Sequence, residues 1–354
     1  MNKAMAKGAL EGYLRDFGVG RLLGVKSIGR GAHGEGWLVR TDGRAGENEF
    51  VIKSVRPAGL GHDYPSDRAG MFLLALDTYN SLPNHVKALD VIGLRADGTL
   101  KSMGAGREYY LLMRKAEGRD YFEDLESFRT RQTLAAGDIR KIDRMVSYLA
   151  GIHSLKKTSR DLYLRKLRDI IGHGECLMGV FDTYPRGILS SGQMAAIEKK
   201  CIDWRARLKR GYRRLCCVHG DFHPGNIWFR GDKSGKAEDI TLLDRSRGPW
   251  GEPADDITAL AINYIFYSVM HHGRVEGAYL EALKIFFRKY IKRTGDAALL
   301  SVVAPFFAFR GAVVANPVFY PELSREGRGL IFRFMNSVLD APEFDPARVN
   351  DYLS

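Results

Sequence analysis

The sequence predicts an α+β chain: a small antiparallel β-sheet region carrying one helix, then a large, mainly α-helical region. Three observations lead there. The first 115 residues are mostly short apolar runs separated by glycine-rich or polar turns. After residue 118 the apolar residues recur at helical spacing. Strand-like runs return briefly over 216–245 before helices resume to the C-terminus. A chain of 354 residues, 45% of them hydrophobic, can build a core in each region.

The elements follow in order. "GVKSIG" (24–29) and "GWLVRT" (36–41) flank a glycine-rich turn, and "EFVIKSV" (49–55) follows the hairpin-like "DGRAGEN". A helix is expected over 65–82, with Ser66 as its cap and Pro83 beyond its end. The strands "KALDVIGL" (87–94) and "REYYLLMR" (107–114) are joined by the turn "RADGT". Further on, Ile139, Ile142, Met145, Val146, Leu149 and Ile152 mark one buried helix face. A later helix over 195–215 places Ile197, Cys201, Trp204, Leu208 and Leu215 on one stripe. The two longest apolar windows, 259–270 and 299–319, fail as membrane spans. The first is too short, and the second contains Pro305 and Arg310. No export signal is legible at the N-terminus, and four cysteines without CxxC spacing suit a reducing cytosol. A cytoplasmic setting is expected.

Three places carry candidate chemistry. Gly29, Gly31 and Gly34 form a G-x-G-x-x-G pattern followed by a strand rather than a helix, the form of a flap whose backbone amides cover nucleotide phosphates; a plain flexible hairpin is the alternative. Lys53 lies among Val51, Ile52 and Val55, where an ammonium wants an anionic partner such as a phosphate, unless it snorkels from an edge strand. The third place is "VHGDFHPGNIWF" (218–229). Asp221 and Asn226 stand five apart across a loop tightened by Pro224 and Gly225, presenting a carboxylate and an amide oxygen to one small volume. A carboxylate there can orient a hydroxyl and accept its proton, and the amide oxygen is a hard ligand for Mg²⁺. The next hairpin delivers Asp244 at a strand end, a further hard ligand. His219 and His223 would suit zinc only with a third ligand at proper spacing, which the sequence lacks; they read as loop-holding residues.

"VHGDFHPGNIWF" followed by "LLDRSRGPWGEPADDIT" resembles the aminoglycoside phosphotransferase and choline kinase-like family, a branch of the protein-kinase-like fold. The resemblance implies a bilobal structure: residues 1–113 as the β-sheet N-lobe, 114–118 as a hinge, and 119–354 as the helical C-lobe. The catalytic loop would span 217–229 and the metal segment 240–258. It implies ATP bound between the lobes and transfer of its γ-phosphoryl group to a substrate hydroxyl. Asp221 then stands as catalytic base, Asn226 and Asp244 as Mg²⁺ ligands, and Lys53 as the lysine on the α/β-phosphates. Arg114, Lys115 and Ala116 stand at the adenine-binding hinge. Asp256, with His219, supports the catalytic loop, and His153 resembles the family's structural histidine at a helix end. The helix that should supply a glutamate to Lys53 has none, and Asp67 is the nearest carboxylate.

Charge bears on the acceptor. The net charge is +12, and residues 156–214 hold 15 Lys and Arg against 6 Asp and Glu. A neutral or anionic hydroxylated metabolite is therefore expected in preference to a cationic aminoglycoside, with Arg245, Arg247 and Arg310 as candidate substrate-binding residues. Arg310, inside "APFFAFRGAVV", is either such an anchor or a member of an internal salt bridge. The rival reading is a nucleotide-binding pseudokinase or RNA-associated scaffold that uses 156–214 as a phosphate-contacting patch. A protein kinase is disfavoured by the HGD loop and the absence of an A-P-E-like segment.

Overall fold

The computed structural model describes residues 7–31, 34–43, 46–56, 65–102, 108–231, 238–245 and 247–354, without the side chains of residues 66, 67, 108, 109 and 238. The helix expected to be capped by Ser66 begins already at Pro65, so Ser66 lies inside it, a correction to its reading as cap; the Asp67 carboxylate, expected as lysine partner, lies outside the described residues. The chain divides into two compact units, 1–117 with 241–247, and 118–240 with 248–354.

In the first unit, strands β1 (Arg21–Arg30), β2 (Gly34–Gly43), β3 (Gly46–Val55), β4 (Ala88–Leu94), β5 (Leu100–Ser102) and β6 (Glu108–Arg114) form one sheet, in the order β1-β2-β3-β6-β4-β5. Every neighbouring pair is antiparallel. Strand alternation gives the sheet two apolar faces. Trp37, Val39, Phe50, Ile52, Tyr110 and Leu112 pack with Leu10, Tyr13 and Leu14 of helix α1 (Lys7–Asp16), an element that the sequence reading did not find. Its short amphipathic stripe is too brief to stand out from a polar N-terminus, and the sheet face supplies the partner it needs. The opposite face, with Val55, Val91 and Leu111, packs with Phe72, Ala75 and Tyr79 of α2 (Pro65–Tyr79). Tyr13 ties α1 to the sheet by donating to Asp90 Oδ2 at 2.6 Å.

The second unit is mainly helical. It contains β7 (Arg119–Asp120), α3 (Phe122–Phe128), α4 (Ala136–His153), α5 (Arg160–Gly172), α6 (Leu177–Asp182), α7 (Ser191–Leu208), β8 (Cys216–Cys217), β9 (Ile227–Gly231) and the start of β10 (Glu238–Leu242). Beyond residue 247 come β11 (Trp250–Gly251), α8 (Pro253–His272), α9 (Gly277–Thr294), α10 (Ala304–Val314) and α11 (Arg325–Asp340). The small sheets are ordered β10-β9-β7 and β11-β8. Ser159, Ser190 and Ser324 cap α5, α7 and α11 through their side-chain oxygens. The helix expected to run through Leu215 stops at Leu208. Residues 209–214 tighten into a 3₁₀ turn in which Gly211 leaves helical geometry. The two long apolar windows belong to α8 and α10, whose residues are almost all buried. No helix among the described residues is long and apolar enough to cross a membrane.

Candidate active site

The loop between β8 and β9 is built from its backbone outwards. Asp256, in the first turn of α8 and fully buried, accepts the His219 amide on Oδ2 and the Gly220 amide on Oδ1, both at 2.7 Å. Its Oδ2 also lies 3.0 Å from His153 Nε2, and the other nitrogen of that ring lies 2.7 Å from the Tyr290 hydroxyl. Burial alone would push the Asp256 pKa up. The hydrogen bond and charge of His153, the charge of His219 and the Gly220 amide together hold it below the ordinary carboxylate value. One carboxylate thus fixes two successive peptide groups just before Asp221.

Past that point the loop closes on itself. The Asn226 amide nitrogen donates to the Asp221 carbonyl at 2.9 Å, so the amide oxygen is the end left for a cation. Residues 224–226 form a 3₁₀ turn with Pro224 at its start, and His223 Nδ1 accepts the Gly225 amide at 3.2 Å. The Tyr121 amide reaches the Pro224 and Ile227 carbonyls, tying the turn to the β7 side. Phe222 stacks on Tyr148 of α4 with ring centroids 6.0 Å apart. The histidine rings therefore serve the loop's internal bonding, and no cluster of three or more metal-ligating side chains occurs among the described residues.

The Asp221 carboxylate has a partner the motif does not contain. Arg310 of α10 donates to its Oδ1 at 2.6 Å, to the Gly220 carbonyl at 3.0 Å and to Asp255 Oδ1 at 2.8 Å. Lys166 of α5 meets the same Asp255 at 2.6 Å. Of the two readings of Arg310, the structure takes the internal salt bridge: its side chain is 5% exposed and both terminal nitrogens engage these groups. Asp255 and Lys166 escaped the sequence reading. A signal for Lys166 existed, since it falls on the buried stripe of α5 with Tyr163, Leu167 and Ile170.

In the first unit, Lys53 sits in the middle of the sheet, paired across β2 with Gly36 and across β6 with Leu111. The edge-strand alternative for Lys53 is thus corrected, because β3 lies between β2 and β6. Lys53 Nζ meets Asp244 Oδ2 at 2.5 Å, and the Tyr79 hydroxyl lies 3.4 Å from Oδ1. Asp244 holds a left-handed backbone, φ 59°, which costs a non-glycine residue about 1 kcal/mol or more. Its neighbour Arg245 is fully buried and donates to the Thr78 carbonyl at 3.1 Å. Arg245 is therefore part of the packing under α2, a correction to its reading as a substrate ligand; Arg247 remains part-exposed. Of the glycine pattern, Gly29 and Gly34 lie on β1 and β2, and the Gly31 amide donates to the Gly34 carbonyl at 2.9 Å. Any Cβ at Gly34 would stand 1.8 Å from the Ser54 carbonyl oxygen, so only glycine fits there. Arg114 ends β6 with its amide on the Lys87 carbonyl, and Lys115 pairs with Glu49 at 2.9 Å.

The basic stretch 156–214 spends much of its charge at home. Lys166 is buried on Asp255, Lys200 meets Asp340 at 2.7 Å, and Arg214 bridges Glu252 and Asp296. Lys157 and Arg207 lie over the Trp250 and Trp204 rings.

An antiparallel sheet unit bearing a central lysine, and a helical unit bearing the Asp221 loop, belong to the kinase-like fold. The Plasmodium vivax ethanolamine kinase superposes with a TM-score of 0.53 at 11% identity, over 94% of this chain and 80% of that one. A GDP complex of an aminoglycoside 2'-phosphotransferase-IIIa variant gives 0.52 at 11%, over 92% and 94%. The chain belongs to the phosphotransferase enzyme family, whose family model matches residues 24–237. No curated protein matches the sequence.

Proposed function

We propose that this family member is an ATP-dependent phosphotransferase that moves the γ-phosphoryl group to the hydroxyl of a small molecule. The observation that carries this reading is the loop itself: a carboxylate and an amide oxygen five residues apart, with the backbone before them clamped by a buried aspartate. Phosphoryl transfer asks a protein for positioning and charge stabilisation more than for covalent chemistry. Asp221 orients the acceptor hydroxyl and takes its proton. Lys53 neutralises nucleotide phosphates, and the backbone of 114–116 receives the adenine. The residues assigned to Mg²⁺ are Asn226 and Asp244, and each fits by its own donor: Asn226 has its amide nitrogen already engaged, while Asp244 offers a carboxylate on a strained backbone. When bound, the ion supplies neutralisation of phosphate charge.

The acceptor is a hydroxyl-bearing small molecule. Arg245 and Arg310 take no part in choosing its charge, because both are buried on internal partners. An ATP-consumption screen over hydroxylated metabolites, cationic, neutral and anionic, tests the reading, with Asp221→Asn as control. The expected result is an acceptor whose turnover falls by about 10²–10⁴-fold in that variant, the scale of general-base catalysis, while nucleotide binding persists. Near-wild-type turnover by Asp221→Asn would overturn the assignment.

A further inference from the structure

Arg310 is a charged residue in the middle of one of the most apolar helices of the chain, "APFFAFRGAVV". A lone guanidinium there would carry a large desolvation cost, so its position has to be offset by partners. The partners form a line of alternating charge: Lys166, Asp255, Arg310, Asp221, joined by contacts of 2.6, 2.8 and 2.6 Å. Three of the four are nearly or wholly buried, with side chains 5, 0 and 5% exposed, whereas Asp221 is 15% exposed. The line therefore runs from the interior and ends at the one member that solutes can reach.

The fork of Arg310 is directed at the loop rather than satisfied for its own sake. Nη1 takes Asp221 Oδ1, while Nη2 takes the Gly220 carbonyl and Asp255. Its Nε–H, also buried, has no acceptor among the described residues. A group placed for stability alone would be expected to satisfy that donor. The second carboxylate oxygen of Asp221 lies 3.9 Å from His223 Nε2, whose side chain is 35% exposed. One oxygen is thus anchored on Arg310, and the other lies on the His223 side of the loop.

We infer that Arg310 is the positioning residue of Asp221: its fork, held from behind by Asp255 and Lys166, fixes which carboxylate oxygen meets the acceptor hydroxyl. The inference rests on Asp221 being the base. Among the described residues, the charged and titratable groups near Asp221 include Arg310 from α10, His219 and His223 from its own loop, Asp255 from α8 behind Arg310, and Tyr320 after α10. A lysine at 310 would keep a positive charge but could not serve three acceptors in fixed directions.

The test compares wild type with Arg310→Gln, Arg310→Lys and Asp221→Asn, each first checked for cooperative thermal unfolding. In Arg310→Gln, which loses the fork, ATP turnover with water or a screened acceptor is expected to fall by about 10²-fold at unchanged KM for ATP. In Arg310→Lys, ATP turnover with water or a screened acceptor falls more than about 10-fold at unchanged KM for ATP, since orientation and not charge is lost. A folded Arg310→Gln or Arg310→Lys with wild-type turnover overturns the inference. Full activity in Asp221→Asn overturns the base assignment instead, so the two failures are distinguishable.

Discussion

At the residue scale, Asp256 shows how one side chain can carry a loop. Its two oxygens accept two successive amides, and one of them also lies 3.0 Å from His153 Nε2. An amide in its place keeps one acceptor and turns an NH₂ against a peptide N–H. Asp256→Asn is therefore expected to lose about 3–5 kcal/mol at pH 7, the scale of breaking a buried pair. Because the folded-state pKa of Asp256 is held below the ordinary value, its stabilisation is fully present above about pH 4 and is lost as pH falls through the folded value. The deficit of the variant should thus shrink in acid, which urea unfolding at pH 7 and near pH 3 would measure. An unchanged deficit at low pH would mean that charge is not what Asp256 contributes. The motif spacing made Asp221, Asn226 and Asp256 legible at this scale. Arg310 was legible only as a charge out of place, since nothing in a sequence says which carboxylate, 89 residues away, it will meet.

At the element scale, the loop depends on how β7 meets β9. Gly118, at φ +115°, stands so close to β9 that a Cβ would lie 2.3 Å from the Phe229 carbonyl oxygen. Gly118→Ala should cost about 1–3 kcal/mol and loosen the pairing of Arg119 with Phe229. Gly151, inside α4 with nothing within 4 Å of an added Cβ, gives the contrast: its alanine variant should gain about 0.5–1 kcal/mol. Denaturant midpoints of the two would check the pair, and a neutral Gly118→Ala would contradict the close approach. Most strands and long helices were readable from alternation and period. The missed or misjudged elements were those that tertiary contacts decide: α1 forms against a sheet face, and the end of α7 is set by Gly211 and the tight turn that follows.

At the scale of the whole molecule, charge is the feature to explain. A surplus of +12 suggested an anionic partner, yet several cations of the densest basic stretch are committed internally. Arg214 is the clearest case, donating to Glu252 at 2.8 Å and twice to Asp296 at 2.7 Å, while the Tyr163 hydroxyl completes Glu252. Although burial alone would lower its pKa, the two carboxylates more than compensate and raise it, so the guanidinium stays charged. Arg214→Ala leaves Glu252 buried without its cation and should cost about 3–5 kcal/mol. That loss should persist in 1 M NaCl, because a buried pair is little screened, and urea unfolding with and without salt would show it. A deficit that vanished with salt would place the pair at the surface instead. By itself the sequence determined the fold class, the order of most elements and the spacing of the candidate loop, because period, turn chemistry and motif spacing are local properties of a chain. Only the tertiary structure decided what the isolated charges are for. Lys53 proved central in its sheet, Arg245 packs beneath a helix, and Arg310 clamps Asp221. The physical reason is that the cost of a buried charge depends on the partner that folding brings to it, and that partner lies far along the chain.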